Sequence, residues 1–302
     1  MKRTFYSNGK LLITGEYTVL DGATALALPT KTGQYLDIEE TSGNTIRWTS
    51  LNADDSIWLT AEIPLAAVFD NTQDGIPKHN TLVNILHHAH KANPELLKHA
   101  TGFDVTTRLT FPQHWGLGSS STLINNIAQW FGIDAFQLLN DSFGGSGYDI
   151  ACAQNNTPIL YRLENEKPLV TPVTFNPVFA SSIYFIYLNR KQNSREAIAA
   201  YREQRHDIAS VVSEIDNLSH ALANVDDVSS FRIILDRHEM IMSAVLRTPT
   251  VKKSLFPNFR GSIKSLGAWG GDFVMAVCEN DPTEYFRKNG FGVVVAYKDM
   301  IL

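Results

Sequence analysis

The sequence predicts an α+β fold built from two halves. Short strand-like segments alternate with longer segments of helical spacing along the 302 residues. Three prolines, Pro168, Pro172 and Pro177, cluster where this pattern changes, which is typical of a junction between compact parts. An apolar content of 44% with 19% charged residues suffices for a sizeable core. We therefore expect one domain over residues 1–172 and a second over 173–302.

The first half begins with strands and turns and continues with helices. Its early apolar runs are short and are interrupted by glycines, whereas apolar residues at helical spacing follow further along. A strand then runs directly into the segment HWGLGSSST, after which helical spacing resumes. The predicted elements are strands and turns over 4–40, a helix over 81–92, a strand over 102–111, a helix ending before Gly132, a helix over 135–140 and a short helix from Tyr148.

The second half has longer helices. Apolar residues at helical spacing predict two amphipathic helices, and two apolar runs near the end predict strands with a short helix between them. A glycine-rich turn, GAWGGD, precedes the first of these runs. The predicted elements are strands over 159–163 and 182–188, helices over 195–222 and 228–246, a strand at FVMAVC, a helix over 282–288 and a strand at GFGVVVAY.

Composition excludes several classes of partner. The 26 Lys and Arg residues against 31 Asp and Glu residues leave a formal charge of −5, which gives no broad attraction for nucleic acid or anionic membranes. No stretch approaches the roughly 18 consecutive apolar residues of a membrane span, and the first residues lack a signal-peptide pattern. We therefore expect a cytoplasmic protein. Cys152 and Cys278 lie in apolar stretches without metal-ligand spacing, which predicts reduced, packed thiols.

The segment GLGSSST, residues 116–122, carries the most chemical information. Glycines between a strand and a helix let backbone N–H groups surround an anion, and the helix dipole adds to the attraction. The hydroxyls of Ser119, Ser120 and Ser121 can bind phosphate oxygens or a magnesium ion. No lysine follows Gly118, so the segment is not a Walker loop. The alternative is an ordinary glycine turn with serine N-caps.

Three further segments combine glycines with charged residues. GGSGYDIA places Asp149 after a flexible glycine run, where its carboxylate can face a ligand; the alternative is a residue that stabilises a helix N-terminus. SNGKLLITGEY contains Lys10 and Glu16, which in isolation would be a solvated lysine and a turn glutamate. SLGAWGGD leads into a strand, and in isolation it would be a hairpin turn.

These four segments occur in the order and approximate spacing that resemble the GHMP kinases, a family that includes galactokinase and the homoserine, mevalonate and phosphomevalonate kinases. SNGKLLITGEYTVLDGATALALP is similar to the family's first motif, HWGLGSSST to its phosphate-loop motif and KSLGAWGGDFVMA to its third motif. The resemblance spans nearly the whole chain. It implies a two-domain GHMP kinase fold, with an N-terminal half like ribosomal protein S5 domain 2 and a ferredoxin-like C-terminal half.

Within the family, the details resemble the mevalonate-pathway branch and especially phosphomevalonate kinases. The similar features are a Gly-Glu-Tyr first motif, Trp115 before the loop, a Gly-Ser-x-x-Asp-x-Ala run over 145–151 and a third motif that ends in Gly-Gly-Asp. The sequence departs from the family pattern at Asn8, where proline is usual, at Trp115, where mevalonate kinases tend to have small residues, and at Trp269. These departures concern the acceptor pocket more than the phosphate loop.

The resemblance implies a small-molecule kinase that uses ATP and Mg²⁺. Asp149 matches the family's catalytic aspartate, which would orient the acceptor hydroxyl and accept its proton. Lys10 would be its partner, because an ammonium favours the developing alkoxide and keeps the carboxylate ionised. The residues that would bind the nucleotide are Gly116, Leu117, Gly118, Ser119, Ser120, Ser121, Gly267, Gly270 and Gly271.

The resemblance also implies contacts with the acceptor and the metal. Lys10, Glu16 and Gly147 would contact the substrate. Ser120 would bind magnesium. Family mevalonate kinases often have a glutamate as a second metal ligand upstream of the catalytic aspartate, and Asp141 would take its place here. The alternative for Asp141 is a cap or turn residue at a helix end.

The expected acceptor is phosphomevalonate or mevalonate. Lys31, Arg190 or Lys191 would bind the negatively charged group of the acceptor. The alternative for each of them is a solvated surface residue. The competing hypotheses are a diphosphomevalonate decarboxylase-like enzyme, a sugar or homoserine kinase, and a non-catalytic ligand-sensing relative in which Trp269 obstructs the nucleotide. The expected partner is a small molecule rather than nucleic acid or a membrane, and a homodimer is left open.

Overall fold

The computed structural model describes residues 2–190, 194–203, 208–267 and 269–302. The described residues fall into two compact units, and each unit is discontinuous in sequence. The predicted boundary at residue 172 would divide the chain into two successive domains, whereas each of the two units combines segments from separate parts of the chain. Unit 1 consists of Met1–Gly9, Thr32–Gln113 and Leu117–Gln154, and unit 2 consists of Lys10–Lys31, His114–Gly116 and Asn155–Leu302.

Unit 1 contains strands followed by helices. The first two strands continue into unit 2. The strands are β1 (Arg3–Leu12), β2 (Ala25–Glu40), β3 (Thr45–Leu51), β4 (Ile57–Pro64) and β5 (Phe103–Leu109). The helices are α1 (Leu65–Asp70), α2 (Pro77–Ala92), α3 (Glu95–Lys98), α4 (Ser119–Phe131), α5 (Ala135–Ser142) and α6 (Tyr148–Gln154), and a 3₁₀ turn covers Gln113–Trp115.

In unit 1, β5 lies between β2 and β3. It is antiparallel to β2 and parallel to β3, and β3 is antiparallel to β4. Side chains alternate between the two faces of a strand, so Leu36 and Ile38 of β2 point to the same face. They share a core with Val105 of β5 and with Ile124 and Ile127 of α4. This packing places the helix that follows the glycine-serine segment directly on the sheet.

Unit 2 contains a separate antiparallel sheet and long helices. Its strands are β6 (Ile159–Glu164), β7 (Lys167–Pro172), β8 (Ile183–Tyr187), β9 (Ser262–Leu266), β10 (Phe273–Val277) and β11 (Val294–Ala296). Its helices are α7 (Ser194–Glu203), α8 (Ile208–Asn224), α9 (Val228–Val245), α10 (Val251–Leu255), α11 (Thr283–Lys288) and α12 (Tyr297–Met300), with 3₁₀ turns at Thr18–Asp21 and Ala180–Ser182. The antiparallel order is β11-β8-β10-β9. The first residues of β2 pair with β6, which also pairs with β7.

Most predicted elements are present, and the differences have local causes. The long helix predicted over 195–222 is described as α7 and α8, and residues 204–207 between them lie outside the described residues. The strand predicted at GFGVVVAY is shorter, because α12 begins at Tyr297. The strands β3 and β4 were not predicted, since β4 has exposed apolar residues such as Ile57 and shows only weak alternation.

The two cysteines have the packing role that the sequence predicts. Cys152 in α6 and Cys278 after β10 are both buried, and they form no disulfide in the described part of the chain. Burial raises the pKa of the Cys278 thiol to about 11, so it stays protonated near neutral pH. None of the described helices combines the length and the apolar character needed to cross a bilayer.

Candidate functional site

The glycine-serine segment opens α4 with an uncapped N-terminus. Gly118 has φ +93°, the left-handed conformation that glycine adopts easily, and no side chain caps this helix end. The first turn of a helix leaves backbone N–H groups without intrahelical acceptors, and the helix dipole makes this end positive. The structure therefore presents a helix N-terminus of the kind that suits an anion, and anion binding there stays a prediction.

The three serines of this segment differ in their surroundings. Ser120 is exposed and Ser119 is half-buried, whereas Ser121 is buried and its hydroxyl donates to the carbonyl of Gly118 at 3.0 Å. The next residue, Thr122, bonds to Oε1 of Gln34 at 2.7 Å and so ties the first turn of α4 to β2. Ser120 is therefore the serine best placed to offer its hydroxyl to a ligand, and Ser121 stabilises the turn.

Asp149 lies in the first turn of α6, which packs against α4. The amide of Gln154 donates to Oδ1 of Asn125 in α4 at 3.0 Å. Gly147, just before α6, is buried with φ +88°, and its carbonyl accepts from the N–H of Ala151 at 3.1 Å. The half-buried Asp149 is thus carried by a helix that lies beside the helix of the glycine-serine segment.

The predicted basic residues lie in unit 2 or outside the described residues. Lys10 is half-buried in β1, and its pairing with Asp149 of unit 1 stays a prediction. Lys31 is exposed, and its ammonium donates to the carbonyl of Lys298. Arg190 is exposed after β8, and Lys191 lies outside the described residues.

The predicted metal ligands are both at the surface. Asp141 is exposed near the end of α5 and accepts a hydrogen bond from the amide of Gln137 at 2.8 Å. Ser120 is exposed in the first turn of α4. Within the part of the chain that the structure describes, no group of three or more His, Cys, Asp or Glu side chains is arranged to hold a metal.

The third glycine-rich motif forms the turn of a hairpin between β9 and β10. Gly267 and Gly270 have φ +71° and +70°, and Gly271 follows before β10. The backbone N–H of Trp269 donates to the hydroxyl of Tyr17 at 2.8 Å, and its indole N–H donates to the carbonyl of Pro249 at 3.3 Å. The hydroxyl of Tyr17 therefore holds the backbone of the third motif next to the first motif.

The beginning of the second motif lies against the end of the third. Gly116 has φ +67°, and a Cβ atom at this position would overlap the carboxylate of Asp272. The Trp115 ring packs edge-on against Phe273, with centroids 5.4 Å apart. Only glycine fits at position 116, because both the backbone conformation and the space exclude a side chain. Asp272 was not among the predicted site residues, although its place after two glycines is a signal that could have identified it.

Glu16 has protein partners in the interior of unit 2. Its side chain is 1% exposed, and Oε1 accepts a hydrogen bond from the ammonium of Lys264 in β9. This position favours a structural role for Glu16 over direct contact with a substrate. Lys264, His238 and Glu239 were not predicted. The signal was a lysine inside an apolar strand, and a His-Glu pair at helical spacing from the buried Leu235.

Comparison with known proteins establishes the fold. No family model and no curated protein matches the sequence. Among solved structures, the Methanococcus jannaschii mevalonate kinase superposes with a TM-score of 0.71 at 15% identity, over 97% of each chain. The Streptococcus pneumoniae phosphomevalonate kinase in complex with phosphomevalonate and AMPPNP gives 0.70 at 16% identity, over 95% of each chain. The chain has the GHMP kinase fold.

This GHMP kinase fold confirms the α+β class that the sequence predicts. It also includes sugar kinases. The Lactococcus lactis galactokinase complexed with galactose gives a TM-score of 0.67 at 14% identity, over 95% of this chain and 88% of that chain. The neighbours therefore share one architecture and differ in the molecules named with them.

Proposed function

We propose that this protein is an ATP- and Mg²⁺-dependent small-molecule kinase of the GHMP type, with phosphomevalonate or mevalonate as its acceptor. One observation carries the proposal. The uncapped N-terminus of α4 follows the left-handed Gly118, and α6 packs beside α4 with Asp149 in its first turn. An anion-binding helix end and a carboxylate on adjacent helices are the two parts that phosphoryl transfer to a hydroxyl needs.

The phosphate-binding part consists of backbone amides and hydroxyls. The amides at the start of α4 suit phosphate oxygens, and the exposed hydroxyl of Ser120 suits a hard cation such as Mg²⁺. ATP supplies the phosphoryl group when it is bound. The hydrogen bond from Ser121 to the carbonyl of Gly118 keeps the turn in shape, so the amides need little reorganisation when a ligand arrives.

The acid-base part consists of Asp149 and Lys10. Asp149 orients the acceptor hydroxyl and accepts its proton as the hydroxyl oxygen bonds to phosphorus. Lys10 stabilises the negative charge that develops on that oxygen. Because phosphoryl transfer demands little covalent chemistry from a protein, positioning and charge neutralisation provide most of the rate enhancement.

The acceptor proposal is based on the Gly-Glu-Tyr first motif, the run over 145–151 and the Gly-Gly-Asp ending of the third motif. Two of the structural neighbours carry the names of mevalonate and phosphomevalonate kinases, in agreement with these motifs. An assay of ADP release, coupled to NADH oxidation, tests the proposal with mevalonate, phosphomevalonate, galactose and homoserine. We expect turnover with one of the two mevalonate compounds, dependent on Mg²⁺, and no release of carbon dioxide. Turnover only with galactose or homoserine would reject this acceptor class.

Asp149→Asn tests the proposed base. The amide keeps the size of the side chain but cannot accept the proton, so we expect turnover to fall by about 10²- to 10⁴-fold. Binding of a fluorescent ATP analogue should stay within a few-fold of the wild type, because the phosphate-binding amides are unchanged. Asp70→Asn, at an exposed aspartate that ends α1, is the matched control and should keep full turnover. Equal turnover in the two variants would remove Asp149 from the mechanism.

A further inference from the structure

Four ionisable side chains meet in the interior of unit 2, and we refer to them as the buried cluster. Glu16 lies in the turn after β1, His238 and Glu239 lie in α9, and Lys264 lies in β9. Their exposed fractions are 1%, 0%, 3% and 0%, so their charges interact without the screening that water provides. Charges are expensive to bury unless they are balanced, so the protonation states in this cluster are constrained.

Lys264 supplies the positive charge of the buried cluster. Its ammonium donates to Oε1 of Glu16 and to the carbonyl of Ser265 at 2.6 Å, and it lies 3.3 Å from Oε1 of Glu239. Glu239 also accepts from the backbone N–H of Ser265 at 3.0 Å and from its hydroxyl at 3.4 Å. Burial raises the pKa of Glu239, but donors to both of its oxygens oppose that rise. Glu239 is therefore the better stabilised of the two carboxylates as an anion.

His238 faces the second oxygen of Glu16. Its Nε2 accepts a hydrogen bond from the backbone N–H of Gly15 at 3.1 Å, so in the neutral ring the proton is on Nδ1. The same Nε2 lies 3.4 Å from Oε2 of Glu16, and Oε2 has no hydrogen-bond donor among the described residues. Two atoms that each present a lone pair repel at this distance. A proton on Oε2 of Glu16 would remove the negative charge beside Nε2 and so relieve this repulsion.

The net charge of the buried cluster also indicates a proton on Glu16. With both carboxylates ionised and His238 neutral, the buried cluster carries one net negative charge, and one proton on Glu16 makes it neutral. Burial raises the pKa of Glu16 to about 7 even though Lys264 opposes the rise. Burial, followed by the nearby Lys264 ammonium, lowers the pKa of His238. Both shifts put the proton on the carboxyl rather than on the imidazole.

We propose that the buried cluster holds one proton on Glu16, and that this neutral form positions the third glycine-rich motif against the first. Among the described residues, the ionisable groups that face Glu16 are His238 and Glu239 from α9, Lys264 from β9, and Tyr17 from the same turn. Loss of the proton leaves the buried cluster with one net negative charge away from water, which favours opening of the turn that carries Glu16. Lys264 and His238 are positioning residues, because they act through Glu16.

The glycine turn of the third motif follows β9 directly, so the position of β9 sets the position of this turn. Lys264 lies two residues before Leu266, which pairs with Phe273 across the hairpin. The first motif continues from Glu16 into Tyr17, whose hydroxyl accepts from the backbone N–H of Trp269 in that turn. The protonated cluster and the Tyr17 hydroxyl thus fix the same two segments. The expected effect on catalysis rests on the proposed kinase function, whereas the protonation of Glu16 does not depend on that function.

Glu16→Gln tests the proton directly, because the amide is a permanent mimic of the protonated carboxyl. Its oxygen can accept from Lys264, and its NH₂ group places no negative charge beside Nε2 of His238. The wild-type pKa is raised on folding, so the proton stabilises the wild type below the unfolded pKa, and this stabilisation is lost as the pH rises through about 7. We expect the ratio of folding equilibrium constants, Glu16→Gln over wild type, to rise about tenfold per pH unit between about pH 5 and about pH 7.

The pH dependence of kcat/KM is a second test for the proton on Glu16. We expect kcat/KM of the wild type to fall about tenfold per pH unit above about pH 7, and the profile of Glu16→Gln to lack this fall. Glu284→Gln is the matched control, since Glu284 is exposed and pairs with Lys288 at 2.6 Å. Its stability ratio should be constant between about pH 5 and about pH 7, and its kcat/KM profile should follow the wild type.

A constant stability ratio for Glu16→Gln across this range would overturn the proposal. If Glu16→Gln does not fold, infrared difference spectra of the wild type with carbon-13-labelled glutamate decide instead. A protonated carboxylic acid band that is present near pH 6, persists in Glu239→Gln and disappears near pH 9 supports the proposal, and its absence near pH 6 overturns it. A protein without turnover on any acceptor would reject the proposed function, while the stability ratio would still decide the proton.

Discussion

At the scale of single residues, Lys264 connects the two glutamates of the buried cluster. Its ammonium is fully buried and contacts Glu16 of the first motif and Glu239 of α9. A buried ion pair contributes little net stability compared with a well-packed apolar pair, but removal of one partner leaves the other charge without compensation. The lysine is therefore a position at which a substitution of similar size has a large effect.

Lys264→Met tests this effect. Methionine fills a similar volume but removes the charge, which leaves Glu239 as a buried anion without its ammonium. We expect the free energy of unfolding to fall by about 3–5 kcal/mol, measured by urea denaturation at neutral pH.

Two further variants show whether the loss of stability in Lys264→Met comes from the buried charge. Lys288→Met removes an exposed ammonium from α11 and should leave the denaturation midpoint unchanged. Glu239→Gln in the Lys264→Met background removes the uncompensated anion and should restore part of the lost stability. A double variant that is less stable than Lys264→Met would contradict the ionised state that we assign to Glu239.

At the scale of elements, the second motif depends on contacts that a side chain at its first glycine would block. Gly116 lies against the carboxylate of Asp272, at the point where the third motif leads into β10. The Trp115 ring packs on Phe273 of the same strand. The backbone at Gly116 is thus fixed by its left-handed conformation and by the lack of space around it.

Comparison of Gly116→Ala with Gly132→Ala separates the effect of the left-handed backbone conformation from the effect of the limited space. Both glycines are left-handed, with φ +67° and +66°, but a Cβ at Gly132 meets no atom within 4 Å. We expect Gly132→Ala to lower the free energy of unfolding by about 1 kcal/mol, the cost of the backbone conformation alone. Gly116→Ala should cost about 1–3 kcal/mol more, because the Cβ displaces Asp272. Equal losses by urea denaturation would show that Asp272 moves away freely.

At the scale of the whole molecule, a ligand that binds only the folded chain must stabilise it. The proposed function and the uncapped α4 N-terminus lead us to expect that nucleotide with Mg²⁺ is such a ligand. Stabilisation follows from mass action and does not require turnover. Binding can therefore be measured in a variant that lacks the proposed base.

The melting temperature tests nucleotide binding. At a nucleotide concentration about 100-fold above the dissociation constant, stabilisation is about 2.7 kcal/mol, which corresponds to a rise of roughly 5 °C in a chain of this length. Asp149→Asn should show the same rise by differential scanning fluorimetry with the nonhydrolysable analogue AMPPNP, because its phosphate-binding amides are intact. A rise that disappears in Asp149→Asn would place Asp149 in nucleotide binding rather than in proton transfer.

Local features of the site could be predicted from the sequence. The turn before α4 was predicted because glycines between a strand and a helix permit a left-handed backbone, which Gly118 adopts. Helical spacing predicted α4 and α9, and the run of glycines predicted the turn that leads into β10. These features depend on neighbouring residues in the chain. The edge strand β4 was missed because its apolar residues are partly exposed and follow no clear alternation.

What the sequence determined by itself was the order of chemical segments: a lysine-containing strand, a glycine-serine turn before a helix, a glycine run before Asp149 and a final glycine hairpin. Only the tertiary structure decided which charges meet. Glu16 and Lys264 are 248 residues apart, and their contact depends on the packing of α9 and β9 in unit 2. Burial, which no local pattern specifies, surrounds Glu16 with ionisable side chains and raises the pKa of its carboxyl to about 7.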